Sequence, residues 1–310
     1  MNKARINRIF EIFKWHGGQI NEDGHPEMHA PVSHTDKGIP YLTQTGVAML
    51  GKMQFSLKAL KGFLSGFPEE LGFLSYLDDP IKLENGEALS KTAGQLCYMS
   101  FGPKRTKNAD ADKYFENIRS SGHGSVLEHP NYSFLIYGNS RSETHEAVRH
   151  RSGFGYSQVS QRYVSGKVLR FVERREFQRI PKMHERFMRR VEFLWNEYHE
   201  IAEELYQLQS KGEEVLRAEA KTDLRKKVQQ VARAVLPNET EAPIIATGNV
   251  RAWRHFIEMR ANEHAETEIR GVAFRIFLCL AVVEPLLFED YEIEKLTDGT
   301  SVVKTKYRKV

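Results

Sequence analysis

The sequence predicts an α+β fold that is rich in helix. Between residues 181 and 283, apolar side chains recur at three- and four-residue spacings, as they do in amphipathic helices. Strand-like runs are few, and they do not alternate with helices in the order that builds a doubly wound parallel sheet. A helical domain with a small mixed or antiparallel sheet, preceded by an N-terminal extension, is therefore expected.

The first 75 residues are predicted to be this extension, packed on the main domain or on a neighbour. They open with a short amphipathic helix that carries Ile6, Ile9, Phe10 and Phe13 on its apolar side. A loop follows through residue 40, and a helix is predicted over about 45–63. Gly, Phe and Pro at 66–68 then indicate a turn after this helix.

The main domain is predicted over residues 76–295, and a C-terminal tail over 296–310. Ser140 is a candidate N-cap, and Glu143 three residues later completes a capping-box pattern. Gly212 interrupts the longest helical stretch, and Pro237 ends it. The predicted elements are helices at 90–100, 140–150, 181–236, 249–260 and 263–283, and strands at 131–138 and 168–172.

Composition narrows the functional classes. The 310 residues carry a formal charge of +4 and 40% hydrophobic residues, which is typical of a soluble globular protein and too weakly basic for a nucleic-acid coat protein. No apolar stretch is long enough for a bilayer, and no signal peptide is evident. The two cysteines, Cys97 and Cys279, exclude a disulfide scaffold and are expected to be buried core residues. A cytoplasmic enzyme is the expectation.

Three polar clusters could carry chemistry. They span residues 121–129, 149–163 and 249–264. In the second, arginines flank a Ser/Gly-rich loop, and guanidinium groups bind phosphate bidentately. In the third, Arg251 and His255 lie one turn apart on a helix, as Arg260 and His264 do if that helix continues. Solvated basic surfaces are the alternative for both. The two histidines of the first cluster lack a third ligand, so no metal site is predicted.

Common catalytic motifs do not account for these clusters. The sequence has no nucleophile elbow, Walker A loop or dinucleotide-binding glycine pattern. In their order along the chain, however, the clusters resemble the flavin-dependent thymidylate synthases, also called ThyX, from about Leu96 to Ala281. The matching segments are 97–101, 123–129, Arg149-His150-Arg151, Ser160-Gln161-Arg162-Tyr163, Arg233-Ala234-Val235-Leu236-Pro237, Asn249 with Arg251, His255-Phe256, Arg260 and Glu268-Ile269-Arg270.

The sequence departs from the family pattern near the predicted nucleotide site. The loop from 152 to 159 is one residue longer than usual, and Phe154, Tyr156 or Ser157 replaces the usual Ser and Asn. Gln158 stands where Glu is common, and Glu266 where Gln is common. The first 75 residues have no counterpart in minimal members. These changes leave the identity of the substrate open more than the class of reaction.

The resemblance implies methylation of dUMP at C5, with FAD as cofactor and with NADPH and methylenetetrahydrofolate as co-substrates. It implies that Arg260 is catalytic, because a fixed cation stabilises negative charge that builds on the pyrimidine. It also implies a homotetramer with shared active sites. The implied dUMP-binding residues are Glu146, Arg149, Gln158, Ser160, Gln161, Arg162, Arg233 and Arg260. The implied FAD-binding residues are Ser100, His123, Ser125, Arg149, His150, Arg151, Gln158, Asn249, Arg251, His255 and His264.

Other functions remain compatible with the sequence. The same chemistry could act on another pyrimidine nucleotide such as UMP, which the altered loop motivates. A helical nucleic-acid-binding protein would use the basic clusters and bind oligonucleotides in a salt-dependent manner without flavin. An inactive structural relative is the third possibility, although the three arginines Arg162, Arg233 and Arg260 are all present.

Overall fold

A computed structural model describes residues 3–164, 166–211, 213, 216 and 221–308. The helices are α1 (Lys3–Trp15), α2 (Lys61–Leu64), α3 (Asn85–Cys97), α4 (Ala111–Ser120), α5 (Arg141–Ala147), α6 (Arg175–Gln178), α7 (Pro181–Ser210), α8 (Lys221–Ala232), α9 (Val250–Arg260), α10 (Thr267–Val283) and α11 (Pro285–Phe288). The strands are β1 (Gly18–Ile20), β2 (Pro26–Met28), β3 (Val32–His34), β4 (Pro40–Leu42), β5 (Gly46–Lys52), β6 (Asn131–Tyr137), β7 (Phe154–Gln158), β8 (Phe171–Val172), β9 (Ile244–Asn249), β10 (Glu292–Lys295) and β11 (Ser301–Lys304).

The main sheet has six antiparallel strands in the order β1-β2-β5-β6-β9-β7. In β6, Tyr132, Phe134 and Ile136 are buried while the intervening residues are more exposed, which is the period-two pattern of a strand with one covered face. A three-stranded sheet, β3-β4-β8, and the hairpin β10-β11 complete the strands. The predicted α+β class and the strand at 131–138 are confirmed.

The N-terminal segment differs most from its prediction. Helix α1 is confirmed, but the loop through residue 40 contains β1 to β4, and the helix at 45–63 is wrong because 46–52 form β5. Val47 and Met49 are buried and alternate with Ala48 and Leu50, a period of two rather than 3.6. Since β1, β2 and β5 belong to the main sheet, part of the predicted extension lies within the main domain.

Helix α10 packs against α1, α9, β2 and β5 and carries much of the core. Residues 276–281 are all buried, so the C-terminal part of this helix is covered around its whole circumference. It begins at Thr267 rather than at residue 263, with the Glu266 side chain accepting a hydrogen bond from the Glu268 N–H as an N-cap. Helix α9 spans Val250–Arg260, which confirms the helix predicted at 249–260, and it does not continue to His264.

Helix α5 begins where predicted and ends earlier. Ser140 Oγ accepts the Glu143 N–H, which confirms Ser140 as the N-cap. The Glu143 carboxylate accepts instead from Asn139 Nδ2 at 2.9 Å, while Ser140 donates its own N–H to Glu268, so the reciprocal half of the capping box is absent.

Several predicted boundaries also shift. Helix α3 starts at Asn85, before residue 90, and the strand at 168–172 is only Phe171–Val172. The long stretch at 181–236 divides into α7 and α8, and Gly212 lies outside the described residues. Pro285 begins α11.

Cys97 is a further correction. The apolar sequence around it suggested burial, but Cys97 is exposed, as are Leu96 and Tyr98 beside it. Helix α3 ends at Cys97, so the apolar side chains there extend past the last turn that the core covers. Cys279 is buried as predicted, and burial raises the pKa of its thiol to about 12. Among the described helices, none is long and apolar enough to cross a membrane.

Candidate active site

Arg260, the last residue of α9, is the centre of the site. Its Nε–H donates to His150 Nε2 at 2.9 Å, and its Nη1 donates to Glu146 Oε2 at 2.8 Å. The Arg260 side chain is 22% exposed. A guanidinium group has five N–H donors, so about three remain without a partner among the described residues. The arginine is thus held on one edge and open on the other.

His150 is the acceptor that holds this arginine. Burial, together with the charges of Arg260 and His255, lowers the pKa of His150 to about 4. The imidazole is therefore neutral near pH 7, and its Nε2 lone pair can accept a hydrogen bond from the Arg260 Nε–H. The ring also packs edge-on against Phe256 at 5.0 Å between centroids. The predicted residues Glu146, His150, His255 and Arg260 therefore come together.

Strand β7, which the sequence did not predict, donates side-chain hydrogen bonds to α5 and to the segment that follows it. Gln158 Nε2 donates to Thr144 Oγ1 at 2.7 Å, and the Tyr156 hydroxyl donates to the His150 carbonyl at 2.9 Å. Gln158 is therefore near the site, bonded to α5. Tyr156 fixes the backbone that carries His150.

Two of the residues that depart from the family pattern, Phe154 and Tyr156, are packing residues. Phe154 lies edge-on against Trp253 at 4.7 Å and stacks on Tyr156 at 5.5 Å. Gly248 faces this ring, and a Cβ there would come within 2.5 Å of it. Gly153 has a φ of +76°, and a Cβ on it would lie 2.9 Å from that of Ala252. The loop thus places the ring of Phe154 against α9 and the ring of Tyr156 against Phe154. Within β7, the exposed residues are Gly155 and Ser157.

Two arginines without a carboxylate partner lie near each other at the start of α5. Arg233 belongs to the 3-10 turn Arg233–Val235, and Arg141 is the first residue of α5. Burial, and then the charge of Arg233, lower the pKa of Arg141. Among the described residues, neither guanidinium has an ion-pair partner. Two cations whose charges interact in this way suit a doubly charged phosphate.

The segment after β7 is held by α8. Arg162 donates from Nε to Gln230 Oε1 at 3.2 Å, and its backbone N–H donates to Ser160 Oγ at 3.3 Å. Gln161 lines a cavity of about 410 Å³ together with Leu236. Arg162 is exposed and has no carboxylate within ion-pair distance in the described part of the chain.

Arg149 and Arg151 flank His150 and are both exposed. Among the described residues, Arg149 finds a partner only for its Nε, which donates to the His145 carbonyl at 3.2 Å. For the Arg151 side chain, the described residues supply no hydrogen bond or ion pair. These two groups therefore present free guanidinium donors on either side of the neutral histidine.

The first turn of α9 meets the 3-10 helix Gly124–Glu128. Asn249 is the N-cap of α9, with its Oδ1 accepting the Ala252 N–H at 2.8 Å. Arg251 is half-exposed and forms an ion pair with Glu128. His123 and Ser125 are exposed at the start of the same 3-10 helix. This juxtaposition brings the first and third polar clusters together.

Ser100 and His264 form no hydrogen bond or ion pair with the other predicted site residues among the described side chains. The Ser100 hydroxyl donates to the Gln95 carbonyl at the end of α3. The His264 side chain is 87% exposed in the loop between α9 and α10, and it lines a different cavity with Arg5, Glu116 and Glu292. The expected pairing of Arg260 and His264 on one helix face is therefore absent. No three His, Cys, Asp or Glu side chains in the described ranges form a group that could hold a metal ion.

Sequence reasoning missed Arg141 and the contact between His150 and Arg260. Arg141 had a detectable signal, because a cation in the first turn of a helix is disfavoured by the helix dipole and needs another reason to be there. The His150 contact had none, since 110 residues separate it from Arg260.

Comparison with known proteins identifies the family. Residues 81–286 match the family model described as thymidylate synthase complementing protein. The flavin-dependent thymidylate synthase of Corynebacterium glutamicum is 42% identical over 226 residues, which are 73% of this chain and 87% of that protein. The enzyme of the same name from Mycobacterium avium is 44% identical over 219 residues, 71% of this chain and 85% of its own.

The chain belongs to the flavin-dependent thymidylate synthase family. Solved structures agree on the fold of this thymidylate synthase relative. The UMP/dUMP methylase PolB from Streptomyces cacaoi, bound with 5-Br dUMP, superposes with a TM-score of 0.55 over 80% of this chain and 94% of that one. Its 18% sequence identity limits that likeness to the fold.

The donor set is compatible with a flavin dinucleotide. A diphosphate needs cationic or N–H donors that are not already neutralised, and Arg149 and Arg151 provide such groups. Asn249 caps the start of α9, and Arg251 and His255 lie one turn apart on that helix. The residues present therefore fit the cofactor that the family name states.

Proposed function

We propose that this protein is a flavin-dependent thymidylate synthase that methylates dUMP at C5. The observation that carries the proposal is the half-satisfied Arg260, held by neutral His150 and by Glu146 with donors left free. Family membership, with about 42% identity over most of the chain, supports the same function. Methylenetetrahydrofolate would supply the carbon and NADPH the reducing equivalents.

The pyrimidine is proposed to bind at the open edge of Arg260. Negative charge that builds on the N3/O2 side of the ring would be stabilised by the guanidinium, which is already oriented before the substrate arrives. Glu146 and His150 restrict its rotation, so little reorganisation is needed. Lysine cannot reproduce two fixed N–H directions from one planar group.

The phosphate of the nucleotide is proposed to bind between Arg141 and Arg233, with Arg162 as a third cation. The absence of ion-pair partners for these groups among the described residues supports this assignment. Arg149, Gln158, Ser160 and Gln161 are proposed to line the same site.

Bound FAD would supply the hydride that reduces the transferred carbon. Arg149, His150 and Arg151 are proposed to hold it together with Asn249, Arg251 and His255, and Ser100, His123, Ser125 and Gln158 are further candidates. His264 remains a weaker candidate because it lies in another cavity. A homotetramer with shared sites, and a cytoplasmic location, are expectations from the family resemblance and the sequence.

The substrate is proposed to be dUMP rather than UMP. The altered loop motivated UMP, but Phe154 and Tyr156 pack against Trp253 and the His150 backbone and leave little reason for a changed ligand pocket. The relatives that are 42–44% identical carry the name thymidylate synthase. A nucleic-acid-binding role is not favoured by these findings.

The test is tritium release from C5-labelled dUMP by the purified protein with FAD, NADPH and methylenetetrahydrofolate, and with labelled UMP in parallel. We expect release from dUMP that requires both co-substrates. Release from UMP alone would move the protein to a modified-nucleoside role. Release from neither, with flavin bound, would overturn the proposed reaction.

A further inference from the structure

A second cavity lies between α10 and the N-terminal segment. Its volume is about 300 Å³. Thr267, Gly271 and Arg275 of α10 line one side, and residues 43–45 and 299–301 line others. Among the described residues that line it, none belongs to the candidate active site. Residues 43–45 and 299–301 also lie outside the 81–286 match to the family, so this cavity is built partly from segments that the family model does not cover.

Arg275 is a partly buried cation in this cavity with only neutral and distant partners. Its Nη1 lies 3.5 Å from the His16 carbonyl oxygen and 3.5 Å from Met28 Sδ, and its Nη2 lies 3.3 Å from Gln44 Oε1. In the described ranges, no carboxylate comes within ion-pair distance of it. Burial lowers the pKa of Arg275, in agreement with the absence of a carboxylate partner among the described residues.

Arg270, on the same helix, has the opposite environment. It forms an ion pair with Asp298 at 3.0 Å and donates to the carbonyls of Glu263 and Ala265 at 2.8 Å each. The difference is therefore not a property of arginines on α10. A guanidinium taken out of water without a counter-ion is costly, and a bound anion would supply the missing partner.

The helix face beside Arg275 is open. Thr267, Gly271 and Arg275 are spaced by four residues and so share one face of α10. A Cβ added at Gly271 would meet no atom within 4 Å. The space above Gly271 can therefore hold the body of a ligand whose charged end contacts Arg275.

Carboxylates also line this cavity, but two of the three are already engaged. Glu268 accepts from Ser140 and Arg174, and Glu173 pairs with His184 at 2.7 Å. Glu176 is exposed. Two of the lining arginines, Arg175 and Arg275, have no carboxylate partner among the described residues. Arg175 donates to the Asp298 carbonyl at 3.2 Å, and Arg275 is the one on the α10 face that carries Gly271.

We propose that this cavity binds a small molecule through one oxyanion group, a carboxylate or a phosphate. Arg275 is the cation that contacts the oxyanion, and the rest of the ligand lies over Gly271 towards Thr267. The site is distinct from the candidate active site and does not depend on the proposed reaction.

The test is calorimetric titration of the full chain with inorganic phosphate and, separately, with succinate. Saturating FAD and dUMP are present so that other phosphate-binding groups are occupied. We expect one anion per chain at this site. Arg275→Gln weakens binding by about tenfold or more, because it removes a charge-assisted hydrogen bond. Gly271→Leu keeps the arginine, fills the space and also weakens binding.

Arg179→Gln is the matched control, since Arg179 is an exposed arginine near the 299 turn that does not line the cavity. It should bind both anions as the unmodified protein does. Binding of phosphate alone indicates a phosphate ester as ligand, and binding of succinate alone indicates a carboxylate. Failure of the folded protein to bind either anion, or unchanged binding in Gly271→Leu, overturns the proposal even if Arg275→Gln does not fold.

Discussion

Arg254 and Arg260 lie on the same helix and differ in what surrounds them. Arg254 is 1% exposed, and Asp290 accepts from both of its terminal nitrogens at 2.8 and 2.7 Å while the Leu287 carbonyl accepts at 2.7 Å. Arg260 contacts one neutral imidazole and one carboxylate and has donors to spare. An arginine whose donors are filled by the protein stabilises the fold, whereas one held on a single edge is available to a ligand.

The largest expected effect is on the free energy of unfolding, and it comes from replacing Arg254. Arg254→Met should lower the free energy of unfolding by about 3–5 kcal/mol, because it leaves the buried Asp290 carboxylate without its main partner. Urea denaturation measures this change. Arg251→Met on the same helix is the control, since the half-exposed pair with Glu128 contributes about 1 kcal/mol or less. Equal losses in the two variants would contradict the distinction between them.

The ligand-facing arginine should show the opposite behaviour. Arg260→Lys should reduce dUMP turnover by about 100-fold or more, because the planar fork that we propose stabilises charge on the pyrimidine is lost. Its unfolding free energy should stay close to that of the unmodified protein. Tritium release and urea denaturation on the same preparation separate the two quantities. Turnover near the normal rate would remove Arg260 from its assigned role.

The contact between His150 and Arg260 should make turnover sensitive to acid. The pKa of His150 is lowered to about 4 in the folded protein, below its ordinary value near 6.5. The folded state therefore keeps the imidazole neutral where the unfolded chain protonates it. The contribution of neutral His150 to the free energy of unfolding is therefore present above about pH 6.5 and is lost as the pH falls towards 4. Protonation also removes the acceptor for the Arg260 Nε–H.

His150→Gln tests this link, because an amide oxygen can accept the same proton without titrating in this range. We expect turnover reduced by about tenfold and a weaker fall between pH 6.5 and 4 than in the unmodified protein. His34→Gln, at an exposed histidine outside the three polar clusters, is the control and should leave the profile as it was. Identical acid limbs in the His150 variant and the unmodified protein would show that His150 does not position Arg260.

The sequence allowed the helix at 249–260, the strand at 131–138 and the Ser140 cap to be predicted. It did not allow β5 to be predicted, because the short apolar run at 47–50 is compatible with either helix or strand until its neighbours are known. In this chain, pairing with β2 and β6 decides for strand.

The same limit applies to the site. The family resemblance predicted Arg260 and Arg233 as cations that bind the ligand. Which arginines are already neutralised is a property of long-range contacts such as Arg254 with Asp290, and local sequence does not encode it. Arg254 and Arg260 therefore look alike in one basic helix and separate only when their partners are known.

The smallest expected effect concerns the loop that departs from the family. Phe154 packs on Trp253, so Phe154→Ser should cost stability, about 2 kcal/mol for a partly buried ring, below the range for full burial. The ratio of dUMP to UMP turnover should change by less than about threefold, since such a ratio reflects contacts with the sugar hydroxyl and not this packing. Ser157→Ala, on the exposed side of β7, is the control for stability. A tenfold or larger change in the ratio would show that the loop sets substrate choice, and Phe154 would then belong with the ligand-facing residues.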